Sequence, residues 1–289
     1  MDAAQLIKLA LTASVLVLVF ALGLRATFGD ATFLFRTLFQ PPNRLLRSVA
    51  AMFLLVPLAA AGLAASFDLP LPVEVAMVAF AIAPVPPVLP GKQLKFGGEE
   101  RYVFGLLVAI SLASVALVPV AVRILGWVFD RNTTIGAEQV ARTIGLSVLL
   151  PLLAGLLVRQ FAPGPAKRLA PWMSRIGTVL LVGSCVPILV ASWPKVASLV
   201  GSGAILAMVA LVAVSLVIGH VLGGPDPEDR EVLGIASAMR HPGIALAIAT
   251  RNFPGEPLVP AAILMCLIVA FIGTSVYGVA RRRRLAKPA

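Results

Sequence analysis

The sequence predicts an all-α polytopic membrane protein of about nine transmembrane helices, built as an inverted repeat with two discontinuous crossing helices. Of the 289 residues, 59% are hydrophobic and only 13% are charged, which is too little polar surface for a soluble chain of this length. The apolar residues form runs of about 20, the length that a transmembrane helix needs. Two of these runs are interrupted by prolines or by a charged residue, which is unusual inside a bilayer.

Nine apolar runs are long enough to cross a bilayer. They cover about residues 5–24, 45–66, 73–90, 101–126, 138–160, 171–191, 203–223, 230–250 and 258–280. The connections between them are short, so residues 1–289 are predicted to form a single transmembrane domain with no soluble domain. The runs are too uniformly apolar for a membrane barrel, whose strands alternate between apolar and polar residues.

The basic residues predict the orientation of the spans. With nine spans and the basic tail 281–289 in the cytoplasm, sixteen of the 24 Lys and Arg residues fall inside, six fall outside and two lie within spans. Cytoplasmic loops of membrane proteins carry such an excess of positive charge. Trp127, Trp172 and Trp193 lie at span ends, where interfacial rings belong. We therefore expect a multi-pass protein of the cell (inner) membrane with an external N-terminus and a cytoplasmic C-terminus.

Two spans do not fit an unbroken helix. The third ends in "APVPPVLPGKQ", where a series of prolines up to Pro90-Gly91 removes backbone donors. The eighth contains "AMRHPGI", which is interrupted at Pro242-Gly243 directly after an arginine. The alternative to true breaks is a pair of proline kinks repaired by neighbouring groups.

The two breaks fall at matching places if the chain is an internal repeat. Taking the first repeat as about 5–126 and the second as about 138–280, spans 1–4 pair with spans 6–9 and span 5 is left over. The offset of five spans is odd, so the two halves enter the membrane in opposite senses. Matching interrupted helices in inverted halves indicate the binding site of a secondary transporter.

The residues at the two breaks are the candidate substrate-binding residues. Unwinding frees the N-terminal N–H groups of the following half-helices, and such N-termini attract anions. The candidates are Pro90, Gly91, Lys92 and Gln93 at the first break and Arg240, His241, Pro242 and Gly243 at the second.

Arg240 is the most unusual of these residues. It lies near the middle of its span, where a charge costs at least about 2.5–3.5 kcal/mol. Either it faces a cavity and pairs with an anionic substrate, or it caps free carbonyl groups of the broken helices. His241 either takes up a proton near physiological pH or is a hydrogen-bonded structural residue. Lys92 either lines the cavity or belongs to a cytoplasmic basic loop.

The remaining polar residues indicate no further chemistry. The chain has two histidines and two well-separated cysteines, which cannot assemble a zinc site, and no metal or cofactor is expected. Enzyme motifs are not found in a supporting context, so the chain is predicted not to be an enzyme. Nucleic acid is not an expected partner, because few aromatic residues accompany the basic clusters. A solvated acidic loop is predicted at Asp226, Glu228, Asp229 and Glu231.

The chain resembles the bile acid:sodium symporter family. The stretch "FALGLRATFGDATFLFRTLFQPPNRLLRSVAAMFLLVPLAA" is similar to the family's first conserved region, and "GLSVLLPLLAGLLVRQF" is similar to the helix that opens its second half. The two broken spans fall where the family's two discontinuous helices cross. The resemblance implies the family's fold and transport of an organic anion, such as a bile acid, a sulfated steroid or a small carboxylate.

The chain departs from the family at the positions that usually hold sodium. A Ser-Asn pair of the first crossing helix is replaced by Leu89 and Pro90. A glutamate and a Gln-Asn pair of the second are replaced by Ala236, Arg240 and His241. The resemblance therefore supports the fold and the transport function, but not the usual coupling ion.

These observations lead to one functional expectation and one alternative. We expect a secondary active transporter that carries a small organic anion (bile-acid-like, steroid sulfate or carboxylate) by alternating access, without sodium. The sequence does not specify the coupling ion, for which a proton taken up by His241 and a counter-anion are the two candidates. The alternative is a passive channel or a non-transporting membrane receptor on the same fold. The expected partners are the organic anion and the lipid bilayer, and the sequence does not specify the oligomeric state.

Overall fold

A computed structural model describes residues 3–40, 43–128, 135–201 and 203–285. The structure is 84% helical and the described residues form no strand, which confirms the all-α membrane fold. The helices, in chain order, are α1 (Ala3–Gly23), α2 (Phe28–Ala31), α3 (Phe33–Arg36), α4 (Arg44–Val49), α5 (Val56–Ser66), α6 (Leu71–Ile82), α7 (Leu89–Phe96), α8 (Glu100–Val128), α9 (Ala137–Ile144), α10 (Leu150–Phe161), α11 (Pro163–Ala197), α12 (Ala204–Leu222), α13 (Pro227–Ala238), α14 (Pro242–Asn252) and α15 (Val259–Leu285).

Two short π-helical segments join helices that would otherwise be separate. Ala50–Leu55 connects α4 to α5, and Gly145–Leu149 connects α9 to α10. Each segment is followed closely by a proline, Pro57 and Pro151. Proline has no N–H to donate to the carbonyl four residues earlier, and a wider helical turn accommodates that missing bond.

The number of membrane crossings agrees with the prediction. Eight helices among the described residues are long and apolar enough to cross a bilayer, and one of them is the pair α13 and α14 taken together. The remaining predicted span is α6, which has 12 residues and is too short to cross alone. It is followed by α7 beyond the first break, so the nine predicted crossings correspond to seven continuous helices and two interrupted ones, α6 with α7 and α13 with α14.

The sixth span is much longer than the sequence indicates. We predicted residues 171–191, whereas α11 runs over 35 residues from Pro163 to Ala197. The sequence pattern does not reveal the start of α11, because Pro163 and the basic residues Lys167 and Arg168 are typical of a connection between spans. Proline suits the first turn of a helix, and a helix of this length, about 52 Å, extends beyond the hydrocarbon core.

Helix α1 packs mainly against α10 and α11, and these helices meet through glycines. A Cβ atom on Gly155 of α10 would collide with the carbonyl oxygen of Phe20 and lie 2.8 Å from the Cα atom of Gly23. Small residues let membrane helices approach closely where lipid offers no hydrophobic driving force for their association. The contact therefore fixes the position of α1 relative to α10.

We expect Gly155→Ala to destabilise the protein, because the new methyl group meets backbone atoms that cannot move aside. Overpacking of this kind costs about 1–3 kcal/mol. Gly183→Ala on α11 is the matched control, since a Cβ there has nothing within 4 Å. The apparent melting temperature in detergent should fall for the first variant only. Equal melting temperatures for the two variants would contradict the close packing.

The predicted solvated acidic loop is only half correct. Asp226 and Glu228 are exposed, but the side chain of Asp229 is 1% exposed and Nε of Arg44 lies 2.6 Å from its Oδ2 atom. Glu231 is also buried. The reason is that α13 begins at Pro227, and its first turns direct these two carboxylates toward the neighbouring helices. An acidic run that enters a helix in this way cannot be solvated on all sides.

The basic tail begins as a continuation of the last helix. Residues 281–285 belong to α15, while 286–289, with Lys287, lie outside the described residues. The side of the membrane on which this tail lies stays a prediction, as do the bounds of the two repeats.

Candidate functional site at the helix crossing

Both interruptions lie a few residues earlier than predicted. Residues 83–88 are non-helical at the first break, and residues 239–241 are non-helical at the second. Pro90-Gly91 and Pro242-Gly243, where we placed the breaks, instead form the first turns of α7 and α14. Proline is favoured in a first turn because that N–H has no intrahelical partner in any case.

The structure brings the two breaks into direct contact. The backbone N–H of His241 donates to the carbonyl oxygen of Pro84 at 2.7 Å. The guanidinium of Arg240 donates through Nη1 to the carbonyl oxygen of Ala83 at 3.3 Å. The two discontinuous helices therefore cross at their unwound residues, where each break supplies partners for the other.

Arg240 is held between three segments of backbone. Its side chain is 1% exposed. In addition to Ala83, Nε donates to the carbonyl oxygen of Ser237 at 3.2 Å and Nη2 donates to that of Met52 at 3.1 Å. Of the two roles considered for this residue, the structure shows the capping of free carbonyl groups.

Each of these three carbonyl groups has lost its usual helical donor. Residue 87, four after Ala83, is a proline without an N–H. Met52 lies in a π-helical turn in which Val56 donates to Ala51, so its own donor would be Pro57, which has no N–H. The N–H four residues after Ser237 belongs to His241, and it is bonded across the crossing instead. The guanidinium thus satisfies acceptors that prolines and the second break leave free.

Arg240 has no acidic partner among the described residues. The ion pairs that the structure describes involve Arg25, Arg44 and Arg101. A cavity of about 10 Å³ lies beside the guanidinium, lined also by Ser215 and Ser237, and it has room for about one water molecule. The site therefore carries an unneutralised positive charge at the crossing.

His241 and Gly243 lie next to each other after the crossing. Both ring nitrogens of His241 are buried and have no hydrogen-bond partner among the described residues. A Cβ atom on Gly243 would lie 3.1 Å from Cε1 of this ring. A larger residue at this position would require the ring to shift by a few tenths of an ångström. Proton uptake by His241 stays a prediction.

Lys92 and Gln93 anchor α7 and do not join Arg240. The Lys92 ammonium donates to the carbonyl oxygen of Phe271 at 2.8 Å, to Oγ1 of Thr274 at 2.6 Å and to Oγ of Ser275 at 2.9 Å. Gln93 is buried and donates through Nε2 to the carbonyl oxygen of Val232 at 2.8 Å. Lys92 therefore neither lines the cavity beside Arg240 nor belongs to a basic loop, because its ammonium is bonded to residues of α15.

A larger cavity of about 150 Å³ approaches the crossing from one end of the bundle. Its lining is mostly apolar and extends to Ile82, the residue before the first break. Glu74 of α6 and Asn252 of α14 supply polar side chains. The sequence does not indicate this cavity, because three regions far apart in the chain form its wall: residues 64–82, 122–126 and 248–253. An acidic residue near the start of an otherwise apolar run was the one available signal.

The model of the sodium bile acid symporter family matches residues 12–199. This region covers more than half of the chain and includes the first break. The chain belongs to this family. An uncharacterized sodium-dependent transporter, YocS, of Bacillus subtilis (strain 168) is 27% identical over 258 residues, which cover 86% of this chain and 75% of that protein. The resemblance predicted from the sequence is confirmed, and the protein is a multi-pass membrane protein of a transporter family.

In this symporter-family member, the positions at which the resemblance implies sodium ligands offer few oxygen atoms. Leu89 and Ala236 are buried and apolar, and Pro90 is buried in the first turn of α7. Arg240 places a guanidinium against backbone carbonyls at another of these positions. The matched region ends before the second break, so the chemistry around Arg240 rests on the geometry described above.

Proposed function

We propose that the protein is a secondary active transporter that carries a compact organic anion by alternating access without sodium. The observation that carries the proposal is the guanidinium of Arg240 at the crossing of the two broken helices. A fixed cation lies there among backbone carbonyl oxygens, which are ligands that a hard metal cation takes in proteins.

Because the guanidinium of Arg240 is part of the chain, a bound sodium ion is not needed to supply positive charge at the crossing. Three carbonyl oxygens from three chain segments converge on Arg240, and a sodium ion cannot occupy the same space. The positive charge is permanent, because an arginine side chain does not lose its proton in proteins. We therefore assign to Arg240 the electrostatic role that a bound cation would otherwise have.

An anionic substrate follows from the sign of the charge at the crossing. Arg240 has no carboxylate partner among the described residues, and charges in low dielectric act over longer distances than in water. The first turn of α14 begins directly after it, and a helix N-terminus adds a positive dipole end. Because Arg240 is buried, we propose that it attracts the substrate through its field and not through direct contact.

The cavity next to the crossing favours a compact substrate over a steroid. Its volume of about 150 Å³ is that of an apolar cavity known to take a benzene-sized molecule. The largely apolar wall suits the body of such a molecule. Of the classes that the resemblance implies, we therefore prefer the small carboxylate, and a small sulfonate carries the same single negative charge.

Glu74 gives the same cavity a means of coupling to protons. An ionised carboxylate in the wall repels an anion, so substrate binding favours the protonated form of Glu74. One proton then moves with each anion. This coupling replaces sodium with a proton and uses a residue that the structure places in the cavity wall.

Uptake into proteoliposomes tests this proposal. We use benzenesulfonate as the compact probe, because its permanent charge limits passive permeation, and taurocholate as the steroid probe. An inward proton gradient should concentrate benzenesulfonate, and replacing potassium with sodium should leave the rate unchanged. Glu74→Gln should remove the dependence on the gradient.

Four outcomes would contradict the proposal. Stimulation by sodium would refute the role of Arg240 as the built-in cation. Accumulation that stops at electrochemical equilibrium would show a channel, and no flux at all would support a receptor. Preference for taurocholate would refute the assignment of a compact substrate.

A further inference from the structure

A basic cleft lies at the opposite end of the bundle from the 150 Å³ cavity. Its volume is about 490 Å³. Helix α8 shows the separation, because Glu100 at its start lines the cleft while Val122 and Gly126 near its end line the other cavity. At 1.5 Å per helical residue, these positions are about 33 Å or more apart, which is the thickness of a bilayer core.

The cleft has a strong positive charge. Four cationic side chains and one carboxylate line it, and a serine hydroxyl lies among them. These residues are Arg25, Arg159, Lys167, Arg175, Glu100 and Ser174. The carboxylate neutralises little, because Nη2 of Arg25 lies 3.9 Å from Oε1 of Glu100 and both side chains are about half exposed, at 49% and 62%. The cleft thus presents several free donors to an acidic group.

One face of α11 forms the floor of the cleft. Ser174 and Arg175 follow Lys167 by seven and eight residues, which is about two helical turns, so the three side chains lie on the same side of the helix. The glycine contact between α1 and α10 holds Arg25 and Arg159 on the other side. Lys167, Arg175 and Arg159 are therefore placed by packed helices, and Arg25 lies in the turn directly after α1.

The depth of the cleft matches the headgroup region of a bilayer. Trp172 lies beside it, 61% exposed, with the guanidinium of Arg175 5.4 Å from the ring centroid. The second exposed tryptophan of α11, Trp193, is 21 residues further on, about 32 Å along the helix axis. Two tryptophans at this separation mark the two interfaces of the hydrocarbon core.

An exposed apolar stripe on α11 begins at the cleft and runs between these tryptophans. Its members recur every three or four residues and are mostly more than half exposed. They are Ile176, Val179, Val182, Val186 and Val190. Such a surface accommodates an acyl chain, and its position next to a basic cleft fits an amphiphile whose head is acidic.

We propose that the basic cleft binds the phosphate-bearing headgroup of an anionic phospholipid, whose acyl chains lie along the stripe on α11. Arg175 and Lys167 donate to the phosphate oxygens, and the tails stay in the bilayer. A soluble anion would accept hydrogen bonds from the same donors, but it has no acyl chain to pack against the apolar stripe on α11. The site is independent of the transport proposal, because its lining shares no residue with the crossing or with the 150 Å³ cavity.

The experiment uses the full-length protein in neutral detergent and measures the apparent melting temperature. Dioleoylphosphatidylglycerol and dioleoylphosphatidylcholine are added in turn, and inorganic phosphate and glycerol 1-phosphate serve as soluble probes. The cleft variant is Lys167→Gln/Arg175→Gln. The control is Arg168→Gln/Lys195→Gln, which removes two exposed charges from the same helix without touching the cleft.

Phosphatidylglycerol should raise the melting temperature of the natural protein and the control by several degrees, because a ligand that prefers the folded state stabilises it. The cleft variant should lose most of that shift, and phosphatidylcholine should have little effect on any of the three proteins. An equal shift in the cleft variant would overturn the assignment of the site. A shift with phosphate or glycerol 1-phosphate as large as that with lipid would show a soluble-anion site and would overturn the assignment of the ligand.

Discussion

Arg240→Gln should reduce uptake of the anionic probe by about two orders of magnitude while the protein still inserts and folds. Insertion becomes easier, because a charge at mid-bilayer is removed. Uptake falls because the site loses its fixed positive charge and its hydrogen bonds to three carbonyl groups. Hydrogen bonds to a charged group are worth about 1.5–3 kcal/mol each, and about 2.7 kcal/mol corresponds to a hundredfold change in rate.

Two further variants separate charge from geometry at this position. Arg240→Lys keeps the positive charge but lacks the planar guanidinium that bonds three carbonyl groups at once. We therefore expect its uptake to lie between that of the natural protein and that of Arg240→Gln. Arg251→Gln removes an exposed cation from the same half-helix and should have little effect. Uptake and melting temperature are measured for all three. Normal uptake by Arg240→Gln would show that the arginine is only a structural cap.

Asp229→Asn should give a large loss of stability. Asp229 is buried, and its Oδ2 atom lies 2.6 Å from Nε of Arg44, which is 19% exposed. Removing one partner of a buried ion pair leaves an uncompensated charge and costs about 3–5 kcal/mol. We expect the lower half of this range, because Glu99 and Asp226 remain within 3.7 and 3.2 Å of the same guanidinium.

Asp226→Asn is the matched control for this prediction. Asp226 contacts the same arginine, but its side chain is 55% exposed, and an exposed pair contributes at most about 1 kcal/mol. The melting temperature in detergent and the yield of folded protein should fall for Asp229→Asn and stay near the natural value for Asp226→Asn. Equal effects would mean that burial does not decide the strength of these pairs.

The Arg44 pair also supports the crossing. Arg44 begins the span that carries Met52, and Asp229 lies in the half-helix that carries Ser237. Both of these distant residues supply carbonyl oxygens to Arg240. Uptake by Asp229→Asn should therefore fall more than its loss of folded protein explains.

The sequence by itself determined the membrane fold, the number of crossings and the existence of two interrupted helices. These features depend on local properties: the length of apolar runs, and prolines that remove backbone donors wherever they stand. The carbonyl group of Ala83 could also have been recognised as an acceptor without a donor, because Pro87 follows it by four residues. That of Met52 could not, because Pro57 follows it by five residues and only a π-helical turn pairs residues at that offset. The exact ends of the breaks could not, because proline both interrupts one helix and begins the next.

Only the tertiary structure decided which groups meet. Met52 and Arg240 are 188 residues apart in the chain, and no local pattern indicates that a guanidinium on one span satisfies a carbonyl on another. Lys92 shows the same limit, because its position beside a break predicted a place in the site, whereas packing directs its ammonium to Thr274 on the last helix. Asp229 was predicted to be solvated from its acidic neighbours, and it is buried because the helix that begins at Pro227 turns it toward Arg44. A side chain's partners depend on how helices pack around it, and that information is distributed over the whole chain.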